Sequence, residues 1–146
     1  NFQGYTTDAA DTLIGFGASA IGRLRQGFVQ NAVLAPDYAQ RIEAEGLATV
    51  RGIELTADDR IRGFVIERLM CDLTFPSAEI TRRFGAAAGE VLAEAEQLVA
   101  SDVDHLIELT ADGFRVSERG RPFVRTIASR FDTYLATTKA THSAGV

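Results

Sequence analysis

The chain has 146 residues, 46% of them apolar and 24% charged, a balance typical of a globular domain that can bury its own core. Its net charge of −5 argues against nonspecific nucleic-acid binding, which needs a basic footprint. No apolar run approaches the ~18 residues that would suggest a membrane span, and Asn1-Phe2-Gln3-Gly4 lacks the basic-then-apolar layout of a signal peptide. Cys71 is the one cysteine, so an intrachain disulfide is excluded and a structural zinc site is not expected; this usage fits a cytosolic protein. Asn rather than Met at position 1 is read as the mark of a processed chain or of a piece of a longer one.

The segment Leu13 to Gly22 is apolar and glycine-rich, without a helical stripe, and its front half is predicted to be a buried strand. Its sheet partners are expected upstream, because Gly52-Ile53-Glu54-Leu55 looks too short to serve and a buried strand must pair its backbone groups. Residues 27–31 read as a connection. Pro36-Asp37 opens a short helix that Gly46 closes. Thr56-Ala57-Asp58-Asp59 then resembles a capping box, followed by a helix to about Asp72 with Ile61, Phe64, Val65 and Leu69 as its core stripe. Pro76-Ser77 starts a second helix, which Gly85 ends, and a third runs from about Gly89 to Ala100. His105 to Leu109 and Phe114 to Val116 form a hairpin about the Asp112-Gly113 turn. Ser117 is predicted to cap a long last helix with Val124, Ile127, Ala128, Phe131, Tyr134 and Leu135 on its apolar face, Pro122 disturbing its first turn. The fold class expected is mainly α with a small β-hairpin, winged-helix-like from 55 to 136.

Few residues suggest chemistry by themselves. Gly15, Gly17 and Gly22 have neither dinucleotide-fingerprint nor P-loop spacing, and read as sites of close packing or of close approach to a ligand near Ala20-Ile21. Arg82 and Arg83 fall where a recognition helix would carry them, so a winged-helix module binding nucleic acid or a protein partner is the alternative function; Glu79 on the same helix and the acidic balance weigh against nucleic acid. Arg119, Arg121, Arg125 and Arg130 are candidate carboxylate binders, although a solvated face is the favoured reading. Cys71 reads as a core residue, and His105 and His142 lack an evident partner for catalysis.

The run Asn1-Phe2-Gln3-Gly4-Tyr5-Thr6-Thr7, with Asp11 to Ile21 after it, resembles the end of the catalytic domain of oxygen-independent coproporphyrinogen III oxidases. Arg51-Gly52-Ile53-Glu54-Leu55-Thr56 with Asp59, Gly120-Arg121, Val124-Arg125 and Phe131-Asp132-Thr133-Tyr134-Leu135 are similar to that family's C-terminal domain. The resemblance implies a radical S-adenosylmethionine (SAM) enzyme of haem biosynthesis, in which a four-iron four-sulfur cluster reduces SAM to a 5′-deoxyadenosyl radical. Two propionates of coproporphyrinogen III thereby become the vinyl groups of protoporphyrinogen IX. It also implies that residues 1–35 are a remnant of the catalytic barrel and 36–146 a helical accessory domain. The family's C-x-x-x-C-x-x-C cluster motif is absent from this chain, so neither catalytic residues nor metal ligands are expected here and no cofactor is expected to bind the chain alone. A missing N-terminal catalytic domain would be the partner. By resemblance Ile21 contacts SAM, and Gln3 and Tyr5 face the cavity. A relative that handles haem instead of oxidising its precursor is a related alternative, against which the opening block argues.

Overall fold

A computed structural model describes residue 10 and residues 12–135, and it divides between 56 and 57 into two compact units. In the first, β1 (Ile21–Arg23), β2 (Gly27–Asn31) and β3 (Thr49–Glu54) form an antiparallel sheet in the order β1-β2-β3, with α1 (Ala35–Glu45) between β2 and β3. Pro36 opens α1 and Gly46, at φ 74°, closes it by donating its N–H to the Ile42 carbonyl, as the punctuation predicts.

The expected buried strand at Leu13 is corrected by this sheet. Leu13 makes one isolated bridge to Arg23, while Leu13, Ile14 and Phe16 are exposed, Phe16 to 87%. The strand begins at Ile21, and its partners lie downstream: the supposed connection is β2, and the segment judged too short is part of the six-residue β3. Glycine permits this close pairing. A Cβ on Gly27 would stand 1.9 Å from the Ile53 carbonyl oxygen, so no other residue fits that β2–β3 approach. The sheet is open, and no closed barrel occurs among the described residues. Residues 49–54 are hydrogen-bonded to β2.

The second unit runs α2 (Ala57–Asp72), β4 (Thr74–Pro76), α3 (Ser77–Phe84), a 3₁₀ turn at Gly85–Ala88, α4 (Gly89–Ala100), β5 (Ile107–Thr110), β6 (Gly113–Val116), a 3₁₀ turn at Arg121–Phe123 and α5 (Val124–Ser129). Its sheet has three strands in the order β4-β6-β5, one more than the predicted hairpin. With two small sheets beside its helices the fold is mixed α/β, and the expected hairpin forms from β5 and β6. The long last helix is also corrected: α5 has six residues, and the Ser117 hydroxyl accepts the Gly120 N–H in a turn ahead of it.

The core of this unit joins Ile61, Val65 and Leu69 of α2 to Phe75, Ile80, Val91, Phe114, Ile127 and Phe131. Phe75 stacks on Phe114 at 5.0 Å and on Phe131 at 5.5 Å, so the β4–β6 pair and the C-terminal turn share one aromatic column. The β5–β6 turn also caps α3. Asp112 accepts the Ser77 N–H at its backbone carbonyl and the Ala78 N–H at its carboxylate, supplying the cap that Pro76 cannot. No helix among the described residues is long and apolar enough to cross a membrane.

Candidate functional site

Of the residues assigned by resemblance to SAM or the cavity, Ile21 falls among the described residues; Gln3 and Tyr5, like His142, lie outside them. It opens β1 opposite Gln30 and is 42% exposed. Its side chain lines a shallow cleft of about 210 Å³ on the sheet, with Phe28, Val29 and Ile53 as apolar neighbours and Gln30 and Arg51 at the polar edge. The Arg51 guanidinium donates to the Gln30 side-chain carbonyl, through Nε at 2.7 Å and also through Nη2, which fixes that edge.

The loop ahead of Ile21 is held by β2. Asn31 Nδ2 donates to the carbonyl oxygens of Gly15 and Gly17, each at 3.1 Å, and the Asn31 backbone N–H donates to Ala20. Gln30 Nε2 donates to the Ser19 carbonyl, the Ser19 N–H to Ala32, and the Gly17 N–H to the Tyr38 hydroxyl. Two residues of the loop adopt positive φ, Gly17 at 97° and Ser19 at 60°; for Ser19 this is a strained conformation that its surroundings must maintain. Gly15 and Gly22 serve close approach, because a Cβ on Gly15 would sit 2.9 Å from the Ile21 carbonyl and one on Gly22 3.0 Å from that of Leu13. Gly15 and Gly22 were legible as close-packing residues and Gly17 instead serves its positive φ, whereas the roles of Asn31 and Tyr38 gave no sequence signal: each is one polar residue in an ordinary strand or helix.

The remaining candidates do not gather into a site. Cys71 is exposed, which corrects its assignment to the core. His105 is exposed at φ 55° and contributes its backbone carbonyl to the Ser117 hydroxyl. Arg119, Arg121, Arg125 and Arg130 are all exposed, with Arg121 3.4 Å from Glu118, as a solvated face requires. Arg82 is exposed, but the Arg83 guanidinium lies over the Phe64 ring at 4.8 Å and is engaged with its own fold.

Sequence reading also missed Arg62. It is 5% exposed on the inner face of α2, where its Nη1 and Nη2 donate to the two oxygens of Glu94 at 2.8 Å and its Nε to Asp58 at 2.7 Å. These hydrogen bonds, Glu94 foremost, raise the guanidinium above its ordinary range against the opposing effect of burial. No group of three His, Cys, Asp or Glu among the described residues is placed to hold a metal.

Residues 55–123 match the family model described as the HemN C-terminal domain. The whole chain is 45% identical to the oxygen-independent coproporphyrinogen III oxidase of Bradyrhizobium diazoefficiens, covering 32% of that protein. It is 42% identical over 139 residues to the enzyme of the same name from Cereibacter sphaeroides, spanning 95% of this chain and 31% of that one. Among solved structures, the coproporphyrinogen III oxidase (HemN) of Escherichia coli, described as a radical SAM enzyme, matches with a TM-score of 0.82 at 36% identity, over 92% of this chain and 31% of that chain. The chain thus spans about a third of the length of the curated relatives it matches. It is similar over its whole length to part of the oxygen-independent coproporphyrinogen III oxidases, and residues 55–123 match the C-terminal domain of that family.

Proposed function

We propose that this chain is the C-terminal part of a radical SAM enzyme that converts coproporphyrinogen III to protoporphyrinogen IX by oxidative decarboxylation, and that it is not catalytic by itself. The observation that carries the proposal is the 45% identity to a named oxidase over every residue of the chain. Residues 1–35 are read as the end of the catalytic domain, and 36–146 as an accessory domain whose helix–helix–helix–hairpin order from 55 on is winged-helix-like.

The residues present do not fit the iron–sulfur cluster. A cluster held by three thiolates needs three cysteines, and the chain has one, which is exposed and sits on α2. The ligands therefore belong to the rest of the longer protein, and no step is routed through this chain's residues. SAM is different. Ile21 presents a half-exposed aliphatic surface beside Phe28, Val29 and Ile53, which suits an apolar contact with a cofactor face. When bound in the longer protein, SAM supplies the hydrogen-abstracting power of the reaction. Ile21 packs and orients, and moves no proton; Gln3 and Tyr5 are proposed as neighbours on the cavity side.

Anaerobic reconstitution with iron and sulfide, then one-electron reduction with dithionite and electron paramagnetic resonance, tests the division of labour. The isolated chain is expected to give no stoichiometric cubane signal and the full-length protein to give one. A stoichiometric cluster in the chain alone would sink the proposal.

A further inference from the structure

The loop that delivers Ile21 has a lock of its own. Between Gly15 and Ala20 the backbone doubles back against β1, and the carbonyls of Gly15, Gly17, Ser19 and Ala20 all point at donors from two consecutive residues of β2, Gln30 and Asn31. Asn31 makes three of those four bonds, two through a single side-chain amide nitrogen. It can do so because the β2–β3 register shifts between Gln30 and Asn31, so that Gln30 opposes Arg51 and Asn31 opposes Thr49. Glycine takes the positive φ of position 17 freely, whereas that of Ser19 is a strained conformation that its surroundings must maintain.

We infer that Asn31 is a positioning residue for SAM: it locks the Gly15–Ala20 loop and thereby sets the place of Ile21. The inference rests on the proposed role of Ile21. Asn31 touches no cofactor itself and acts through the loop. Its amide is irreplaceable in kind, because both partners are carbonyl oxygens and the nitrogen must donate to both. Aspartate has the same shape but turns a donor into an acceptor, setting a charged oxygen against two carbonyls. The Asn31→Asp variant therefore isolates the hydrogen-bonding role from size, and Tyr38→Phe removes the neighbouring bond to the Gly17 N–H as a milder version of the same change.

The test uses the full-length, cluster-loaded protein. SAM affinity is read by equilibrium dialysis, and amide hydrogen exchange is followed over residues 13–23 and, as an internal reference, over 57–72. Asn31→Asp is expected to weaken SAM binding by roughly ten-fold or more, from the loss of two hydrogen bonds, and Tyr38→Phe by only a few-fold. Exchange should speed up over residues 13–23 and stay unchanged over 57–72. Unchanged SAM affinity in Asn31→Asp, with residues 13–23 exchanging faster, overturns the inference while leaving the proposed function in place. Should Asn31→Asp fail to fold, Tyr38→Phe carries the test, and normal SAM affinity despite faster loop exchange in that variant likewise overturns it. Wild-type protein that binds no SAM overturns the proposed function and this inference with it.

Discussion

In residues 57–135 a continuous set of large side chains, from Ile61 and Leu69 to Phe75 and Phe131, is withdrawn from water, whereas residues 12–56 bury Ala32 and Ala48 as their only hydrophobics. The first unit instead leaves Ile14, Phe16, Leu47, Val50 and Ile53 exposed and holds its shape through strand pairing and side-chain bonds to loop carbonyls. Each fully buried Phe or Leu contributes roughly 1.5–3 kcal/mol, a source of stability that the sheet unit does not draw on within itself. The helical unit is built to stand on its own core. The sheet unit is built to present a surface, and it should open more easily, so amides of 21–54 are expected to exchange faster than those of α2 and α4.

That contrast can be broken most forcefully at the aromatic column. Phe75→Ala removes the ring shared by Phe114 and Phe131 and should cost about 3–5 kcal/mol in the unfolding of residues 57–135, read by denaturant titration. A loss below about 1 kcal/mol would mean that the column does not organise the core.

Glu94→Ala leaves the Arg62 guanidinium buried with Asp58 at 2.7 Å and Glu90 at 3.8 Å as its remaining acids and should cost about 2–3 kcal/mol, less than a wholly unpaired buried charge. The sign of any pH effect follows from the direction of the arginine shift. A basic group held above its ordinary range stabilises fully at every pH below that range and loses the contribution only above it. The arginine side of this cluster should therefore add no pH dependence near neutrality.

Gly27→Ala probes the other unit. With 1.9 Å between the new Cβ and the Ile53 carbonyl oxygen, β3 must move away, at a cost of about 1–3 kcal/mol. Exchange should rise over 27–31 and 49–54 while α2 stays protected; a rise in both places would refute the independence of the two units. The smallest effect is expected from Arg83→Ala, about 0.5–1 kcal/mol from the lost stacking on Phe64, measurable as a small downward shift of the thermal midpoint.

The helices were readable because their signals are local. Pro36 with Gly46, and Pro76 with Gly85, bracket helices that run as predicted, and Asp112-Gly113 marks the β5–β6 turn. The β2–β3 pairing was hidden because it joins residues distant in sequence, such as Phe28 with Ile53, and glycine-rich strands carry little alternation. β4 escaped because it has three residues and ends in a proline. Arg62 escaped because a charged residue on a helix is assigned to the wet face, and only the folded chain brings Glu94 to it. In the proposed site, Ile21 was singled out by resemblance and by the glycines ahead of it, while Asn31 stands out only once folding brings its amide to two distant carbonyls.

Under the proposed function this chain completes a SAM-dependent oxidase without performing its chemistry. The most direct measurement is anaerobic conversion of coproporphyrinogen III with SAM and a reductant, comparing the full-length protein, the same protein lacking these 146 residues, and the chain alone. Protoporphyrinogen IX, with release of two carbon dioxide molecules, is predicted from the full-length protein only. Turnover by the chain alone, or undiminished turnover by the truncated protein, would contradict the account.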